Sequence, residues 1–261
     1  ILTKRQIGST FKPFIYATAL DQNFNIDTLL QDSPMVYEDR FGQKWTPQND
    51  SRDYKGSITL EDSFLESRNL STLSLGQKID IDELYDRLSQ ILGRDIPKDL
   101  STILGAYEMS PLELAQLYNV FVNQGHITKD VSIILTVDDQ KYEADPMAEE
   151  MLESDALFSH EACFIMRYLM QKACSRYEIS STTPKGGKTG TTNDKQDLWF
   201  AGYKGEWTSV VWMGFDKPAP LYEYAAKNSA IVWNNALERV QEQALEDFPE
   251  NIIFKIGPDK K

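Results

Sequence analysis

The segment from Ser9 to Leu20 reads STFKPFIYATAL, and its apolar residues recur at the spacing of a helix face. Proline is tolerated only in the first turn of a helix, so Pro13 requires this helix to begin near residue 9 or 10. Ser9 is then at the helix N-terminus, where free N–H groups and the helix dipole favour negative charge. Lys12 shares its face one turn further along. The segment therefore predicts a serine and a lysine side by side.

Ser67-Arg68-Asn69 is a second short motif that can serve the same chemistry. A serine hydroxyl needs a base to become nucleophilic, and Lys12 can be that base if burial and neighbouring charge lower its pKa. If the loop is extended, Ser67 and Asn69 flank one exposed residue and point the same way. The Ser67 hydroxyl can then pass a proton to a leaving amine, while the Asn69 amide holds both Lys12 and a substrate peptide group.

A third motif, Lys188-Thr189-Gly190-Thr191, opens a predicted strand and follows two glycines. Lys188 and the hydroxyls of Thr189 and Thr191 make a carboxylate-binding cluster, and Lys188 also lowers the pKa of a nearby lysine. Glycines such as Gly190 let a substrate backbone lie against the strand edge. The backbone N–H groups of Ser9 and Thr191 are expected to face the developing oxyanion, where one donor is typically worth about 10²–10³ in rate.

Other catalytic classes fit the sequence less well. His126 and His160 do not lie near a serine in a Gly-x-Ser-x-Gly context, so a Ser–His–Asp site is not favoured. Gly187-Lys188-Thr189 resembles the end of a phosphate-binding loop, but residue 182 is threonine where that loop needs glycine. No Cys/His cluster has metal-ligand spacing, and no metal or cofactor is implied.

Composition points to a globular protein of one large domain or two packed lobes. The chain has 261 residues, of which 41% are hydrophobic and 26% charged, with a formal net charge of −13. This acidity argues against a nucleic-acid partner, and no apolar run reaches the length of a membrane span. Cys163 and Cys174 fall in one helical pattern, too far apart for a disulfide, and are expected to be packed thiols. Ile1 precedes Ser9 so closely that we expect the sequence to be part of a longer protein.

Helical patterns dominate the middle of the chain and strand patterns its last third, which predicts an α+β fold. A predicted hairpin lies between the two regions. The predicted helices are Leu60–Glu66 with a Thr59 cap, Leu70–Ile79, Glu83–Leu92 closed by Gly93, Pro111–Gln124 with Ser110 and Glu113 as a capping box, and Ser229–Leu245. The predicted strands are the hairpin Ser132–Val137 with Lys141–Glu143, then Gly187–Thr192, Leu198–Tyr203 and Thr208–Phe215.

The three motifs and their surroundings resemble the transpeptidase domain of class A penicillin-binding proteins, which share the Ser-x-x-Lys, Ser-x-Asn and Lys-Thr-Gly set. The resemblance spans roughly residues 4–240. The matching segments are Arg5–Phe14, Pro47–Asp50 with Tyr54 and Gly56, Leu104–Ala106 leading into Ser110–Glu113, and Gly187–Asn193 continuing to Trp199–Tyr203.

The resemblance implies an antiparallel five-stranded sheet flanked by helices, plus an all-helical subdomain, with the N-terminal strands absent from this sequence. It implies a transpeptidase domain over residues 1–245, with the helical subdomain at roughly 21–130. The sheet lobe would take roughly 180–245 with the helix at 9–20, and 246–261 would be a C-terminal tail. The active-site cleft would lie between the helical subdomain and the sheet lobe.

The resemblance also implies that Ser9 attacks the penultimate D-Ala carbonyl of a peptidoglycan stem peptide ending in D-Ala-D-Ala, and that β-lactams acylate the same serine. Lys12 would be the base, Ser67 and Asn69 the relay and clamp, and Lys188, Thr189 and Thr191 the carboxylate site. Such enzymes are extracytoplasmic in bacteria, anchored to the inner membrane by a segment absent from this chain, and carry an upstream glycosyltransferase domain. A β-lactamase, a D,D-carboxypeptidase and a non-catalytic module that binds β-lactam or peptidoglycan stay open as alternatives.

Overall fold

The computed structural model describes residues 3–38, 44–127, 156–177, 179, 185–192, 195–221 and 226–238. The predicted hairpin within 132–143, the end of the predicted helix 229–245 and the tail at 246–261 lie outside these residues. In the described part of the chain, helices and antiparallel strands combine in an α+β fold, which confirms the predicted class. No helix in the described residues is both long and apolar enough to cross a membrane.

The helices of the described residues lie mainly in the first two thirds of the chain. A 3₁₀ turn at Gly8–Phe11 leads directly into the first α-helix, so the predicted helix start near residue 9 or 10 is confirmed to within two residues. The α-helices are α1 Lys12–Asp21, α2 Leu60–Leu65, α3 Asn69–Gly76, α4 Asp82–Leu92, α5 Leu100–Ile103, α6 Pro111–Tyr118, α7 His160–Ser175 and α8 Ala226–Leu237.

Four antiparallel sheets are formed by the described strands, and the largest contains the third motif. Its strands are ordered β7-β8-β9, with Lys188 opposite Ala201 and Thr189 opposite Phe200. The resemblance implies five strands, whereas the largest sheet of the described residues has three. The strands are β1 Arg5–Gln6, β2 Leu29–Asp32, β3 Tyr37–Glu38, β4 Lys44–Trp45, β5 Gly56–Thr59, β6 Glu108–Met109, β7 Lys185–Thr191, β8 Asp197–Lys204 and β9 Trp207–Gly214, and the small sheets pair β1 with β6, β2 with β5 and β3 with β4.

Alternate residues of the central strand β8 point to opposite faces of the main sheet. Both faces are covered by other parts of the protein. Phe200 packs on Trp233 of α8, with ring centroids 4.7 Å apart. Trp199 and Tyr203 face the main core, where the Tyr203 hydroxyl donates to the Arg167 carbonyl of α7 at 3.1 Å. β8 is accordingly buried along its whole length, which holds the neighbouring motif strand β7 in place.

The helix predicted to span Pro111–Gln124 is shorter than expected. Its capping box of Ser110 and Glu113 is confirmed, but α6 ends at Tyr118 and a 3₁₀ turn follows at 119–121. The Phe121 carbonyl accepts a hydrogen bond from the Arg167 side chain at 3.1 Å rather than from a helical amide. Packing against α7 therefore replaces the last helical turn.

Two glycines bring the turn that carries Ser9 into direct contact with β7. Gly8 has φ +52°, and a Cβ there would lie 2.6 Å from the Thr191 carbonyl oxygen. A Cβ on Gly190 would lie 2.5 Å from the Ile7 carbonyl oxygen. Since real Cβ atoms do not approach backbone oxygens this closely, the absence of side chains sets the distance between the first and third motifs.

Cys163 and Cys174 are both buried free thiols on α7, as the helical pattern predicts. Burial raises the pKa of each thiol to about 12, so neither is a nucleophile at neutral pH.

We expect Gly8→Ala to destabilise the fold more than Gly93→Ala. Both glycines have a left-handed φ, which costs an L-residue about 1–2 kcal/mol. A Cβ on Gly93 meets nothing within 4 Å, whereas one on Gly8 overlaps the backbone of Thr191, adding about 1–3 kcal/mol. Urea denaturation of the two variants measures both losses, and equal losses would show that the close packing at Gly8 is unimportant.

Candidate active site

Ser9 lies at the mouth of a cleft of about 760 Å³, and residues of all three motifs line this cleft. Ser9 comes from the turn before α1, Asn69 from the start of α3 and Thr191 from the end of β7. Ser9 is half-buried, so its hydroxyl sits where a substrate can reach it. Segments far apart in sequence thus meet around one cavity.

Lys12 lies fully buried beneath the cleft, because α1 is enclosed by the core on all sides. Its Nζ donates to the carbonyl oxygens of Ser67 at 2.6 Å and Arg68 at 3.2 Å, and to Asn69 Oδ1 at 2.8 Å. Burial, followed by repulsion from the Lys188 ammonium, lowers the pKa of Lys12 well below its usual value. The lysine that the sequence predicts as a base is therefore in an environment that favours its neutral form.

The Ser67 hydroxyl lies between two lysines. Ser67 Oγ accepts from Lys188 Nζ at 2.8 Å and from Lys12 Nζ at 3.4 Å. Both lysines are nearly or fully inaccessible, at 2% and 0% exposure. A hydroxyl both donates and accepts, so Ser67 can carry a proton between groups on the two sides of the cleft.

The expectation that Arg68 is an exposed residue in an extended loop is wrong. Arg68 is only 3% exposed, and Ser67 adopts a left-handed conformation with φ +54°. The Arg68 guanidinium is drawn inward by ion pairs to Asp32 at 2.5 Å and Asp53 at 2.6 Å. Ser67 and Asn69 still converge on Lys12, but the inward pull on Arg68 and the turn at Ser67 bring them there.

Asn49 supports this segment and was not assigned a role from the sequence. Its Oδ1 accepts from the backbone N–H groups of Asn69 at 2.8 Å and Leu70 at 3.1 Å, which satisfies the start of α3. Its Nδ2 donates to Asp32 Oδ1 at 2.9 Å. Burial alone would raise the pKa of Asp32, but hydrogen bonds from Arg68, Asn49 and the Lys55 N–H lower it. Asp32 is thus an anion that holds both Arg68 and Asn49.

A buried hydroxyl cluster holds the same segment from the other side. The Thr72 hydroxyl donates to the Arg68 carbonyl at 2.6 Å and pairs with the Tyr16 hydroxyl at 3.0 Å. Tyr16 also pairs with Ser63 Oγ at 2.6 Å. The Arg68 carbonyl, which Lys12 contacts, is therefore fixed by α1 and α3 together.

Lys188 projects from β7 into the same buried space. Burial lowers its pKa to about 7, although the negative charge of Asp50 acts in the opposite direction. The Thr189 hydroxyl is 2.8 Å from the Tyr177 hydroxyl, a neighbour that the motif alone does not reveal. Thr191 is half-buried and lines the cleft. Of the predicted carboxylate cluster, Thr191 therefore lines the cleft, whereas Lys188 and Thr189 are buried, and their shared role stays a prediction.

The glycines of the third motif have a role besides the one inferred from the sequence. Side chains at Gly186 and Gly187 would overlap the rings of Tyr203 and Phe200, and one at Gly190 would overlap the turn before Ser9. Close packing within the protein requires these glycines, whatever the substrate does. Because Gly8 packs on Thr191, the backbones of Ser9 and Thr191 lie on adjoining segments, and their pairing as oxyanion donors stays a prediction.

Comparison with known proteins shows the family and the fold of the chain. The family model of the penicillin-binding protein transpeptidase domain matches residues 2–238. Penicillin-binding protein 1B of Vibrio cholerae is 32% identical over 259 residues, covering 95% of this chain and 33% of the relative. Penicillin-binding protein 1A of Pseudomonas aeruginosa is 30% identical over 290 residues, covering 89% of this chain and 35% of the relative.

Among solved structures, that of penicillin-binding protein 1A from Haemophilus influenzae resembles this fold with a TM-score of 0.77 at 26% identity. The match covers 93% of this chain and 44% of that chain. The chain spans about a third of the length of the curated relatives it matches.

We expect Asp32→Asn to destabilise the protein by about 3 kcal/mol, because it leaves the buried Arg68 guanidinium with only the more exposed acids Asp53 and Glu66. Asp53→Asn is the matched control. The Asp53 side chain is 55% exposed and Arg68 would keep Asp32, so the loss should be much smaller. Urea denaturation measures both, and a loss at Asp53 as large as that at Asp32 would contradict the central position given to Asp32.

Proposed function

The chain belongs to the penicillin-binding protein transpeptidase family, and from this membership and its site we propose that it is the transpeptidase domain of a class A penicillin-binding protein. It cross-links peptidoglycan stem peptides ending in D-Ala-D-Ala through an acyl-enzyme on Ser9. The observation that carries the proposal is the convergence of Lys12 and Lys188 on Ser67 Oγ, at 3.4 and 2.8 Å, below the cleft that Ser9 lines.

Acylation begins when neutral Lys12 takes the proton of the Ser9 hydroxyl. Ser9 Oγ then bonds to the penultimate D-Ala carbonyl carbon, and the oxyanion is stabilised by the backbone N–H groups of Ser9 and Thr191. The proton moves from Lys12 through Ser67 Oγ to the nitrogen of the terminal D-Ala, whose bond to the carbonyl carbon breaks. Asn69 keeps Lys12 in place through the 2.8 Å hydrogen bond and faces the substrate peptide from the cleft wall.

The donor stem peptide is recognised by residues of β7 at one side of the cleft. The charged form of Lys188, with Thr189, Gly190 and Thr191, holds the carboxylate of the terminal D-Ala. A β-lactam with a carboxylate beside its strained amide fits the same groups, and opening of its ring by Ser9 leaves a covalent adduct. The similar proteins are penicillin-binding proteins, which supports this part of the proposal.

The same membership supports the wider setting. We place the transpeptidase domain at residues 1–245, with the helical subdomain at roughly 21–130, the sheet lobe at roughly 180–245 and the tail at 246–261. The enzyme acts outside the bacterial cytoplasm, attached to the inner membrane, together with a glycosyltransferase domain upstream. β-Lactamase and D,D-carboxypeptidase activities use water in place of the acceptor amine, and no contact of the described residues favours them.

Ser9→Ala is expected to abolish the covalent adduct with penicillin, because no other hydroxyl replaces the nucleophile. Mass spectrometry of the peptide that contains residues 5–14 locates the adduct in the wild type. Ser101→Ala is the matched control, since Ser101 lines the same cleft but hydrogen-bonds to Asp99. An adduct that persists in Ser9→Ala would refute the proposal.

The pH dependence of acylation should have two limbs. Lys12 must be neutral, so the acylation rate constant rises with pH through its lowered pKa. Lys188 must be charged to hold a carboxylate, and this charge is lost as pH rises through about 7. The apparent second-order rate constant with a carboxylate-bearing penicillin should therefore fall at alkaline pH. Lys188→Arg, whose guanidinium stays charged, should lose the alkaline limb, and persistence of that limb would contradict this role of Lys188.

A further inference from the structure

The turn Asn49–Asp53 is anchored through alternate residues. Arg52 N–H donates to the Asn49 carbonyl at 2.9 Å and closes the turn. Below it, Asn49 holds Asp32 and the start of α3, Ser51 Oγ accepts from Arg68 at 3.0 Å, and Asp53 forms an ion pair with Arg68. Three of the five residues therefore bind the support of the catalytic segment.

The two intervening residues, Asp50 and Arg52, line the active-site cleft and are exposed. Among the described residues, neither side chain forms a hydrogen bond or an ion pair. The anchors on either side fix the backbone, and Cα atoms two residues apart lie within about 7 Å. The cleft wall thus presents an anion and a cation, two residues apart on an anchored backbone and available to a ligand.

The second substrate has an electrostatic difficulty in this cleft. The transpeptidase acceptor is an amine, which arrives from water as an ammonium ion. Two buried lysines lie close to the cleft: Lys12 contacts the lining residue Asn69, and Lys188 contacts the adjacent Ser67. Asp50 is close enough that its charge raises the pKa of both. Its carboxylate can offset the repulsion between those lysines and an entering cation.

We propose that Asp50 and Arg52 form the acceptor subsite, in which Asp50 binds the ammonium group of the acceptor and Arg52 binds a carboxylate on the same carbon. The ligand is the zwitterionic end of an amino acid, either free or at the tip of a stem-peptide side chain. The inference rests on the proposed function and names the substrate class of its second step.

The bound acceptor reacts in a balanced sequence. The ammonium gives one proton to water on the open side of the cleft, and the amine nitrogen bonds to the acyl carbonyl carbon. Neutral Lys12 takes the second proton from that nitrogen and delivers it to Ser9 Oγ as the bond between Oγ and the carbonyl carbon breaks. The products are the cross-linking amide and free Ser9. Asp50 and Arg52 hold the acceptor and exchange no proton in the step.

The test starts from an acyl-enzyme and measures how it divides between amine and water. The protein at its natural length is given an acyl-D-alanyl thioester donor, with either D-alanine or D-alanine amide as acceptor. D-Alanine carries both charges and its amide only the ammonium. Chromatography gives the ratio of aminolysis to hydrolysis product. Because this ratio counts only acyl-enzyme that has formed, slower acylation or partial unfolding of a variant does not alter it.

Asp50→Asn is expected to lower the ratio about tenfold with both acceptors, since a hydrogen bond between charged groups is lost. Arg52→Gln should lower it about tenfold with D-alanine and leave the ratio with the amide unchanged. Asp50→Glu should restore most of the ratio. Asp27→Asn, an exposed acid outside the cleft, makes the same change in net charge and should have no effect.

An unchanged ratio in Asp50→Asn, or an equal loss with both acceptors in Arg52→Gln, would overturn the acceptor subsite while leaving acylation at Ser9 intact. A wild-type protein that forms no acyl-enzyme from the thioester or from penicillin would instead refute the proposed function, and this inference with it. The two failures are therefore distinct.

Discussion

Two lysine side chains buried beside one serine hydroxyl are the constraint on which the site depends. A buried cation is costly unless hydrogen bonds surround it or it loses its proton. Both conditions are met at Lys12. Three carbonyl-type oxygens accept its hydrogen bonds, while burial and Lys188 lower its pKa. The protein therefore stabilises a lysine that can be neutral in the resting enzyme and charged during the reaction. The acceptors that surround it must be held rigidly, since each displaced oxygen would leave a buried charge unsatisfied.

That rigidity comes from residues that do not touch a substrate. The ion pair between Asp32 and Arg68 is buried on both sides, and Asn49 connects it to the N-terminus of α3. The hydroxyl of Thr72 fixes the Arg68 carbonyl from the opposite direction. A buried ion pair adds little net stability compared with apolar packing, but it defines one arrangement because any other would leave a charge without a partner. In this protein the arrangement defined is the left-handed turn that places Ser67 between two lysines.

The sequence predicts well what local chemistry decides. Pro13 predicts the start of α1, Ser110 and Glu113 predict the start of α6, and each of the three motifs contains a residue that lines the cleft. Contacts between residues that are distant in sequence could not be predicted from it. A single arginine between Ser67 and Asn69 reads as exposed, because nothing local reveals that Asp32, 36 residues earlier, draws it inward. The end of α6 and the pairing of Tyr177 with Thr189 have the same origin, since packing partners distant in sequence determine both.

Charge shows most clearly why position matters more than composition. The chain has a net charge of −13, yet two buried lysines, Lys12 and Lys188, lie close to its cleft. In the proposed reaction a donor carboxylate is attracted to these lysines, whereas an acceptor ammonium is repelled, so one uniform potential cannot serve both substrates. The fold places the two kinds of charge at different depths. The two lysines are buried, which keeps their pKa values low, and the acid Asp50 is exposed on the cleft wall. An enzyme that joins an acid-bearing donor to an amine in a single cleft needs this division, because a site suited only to the donor would exclude the acceptor.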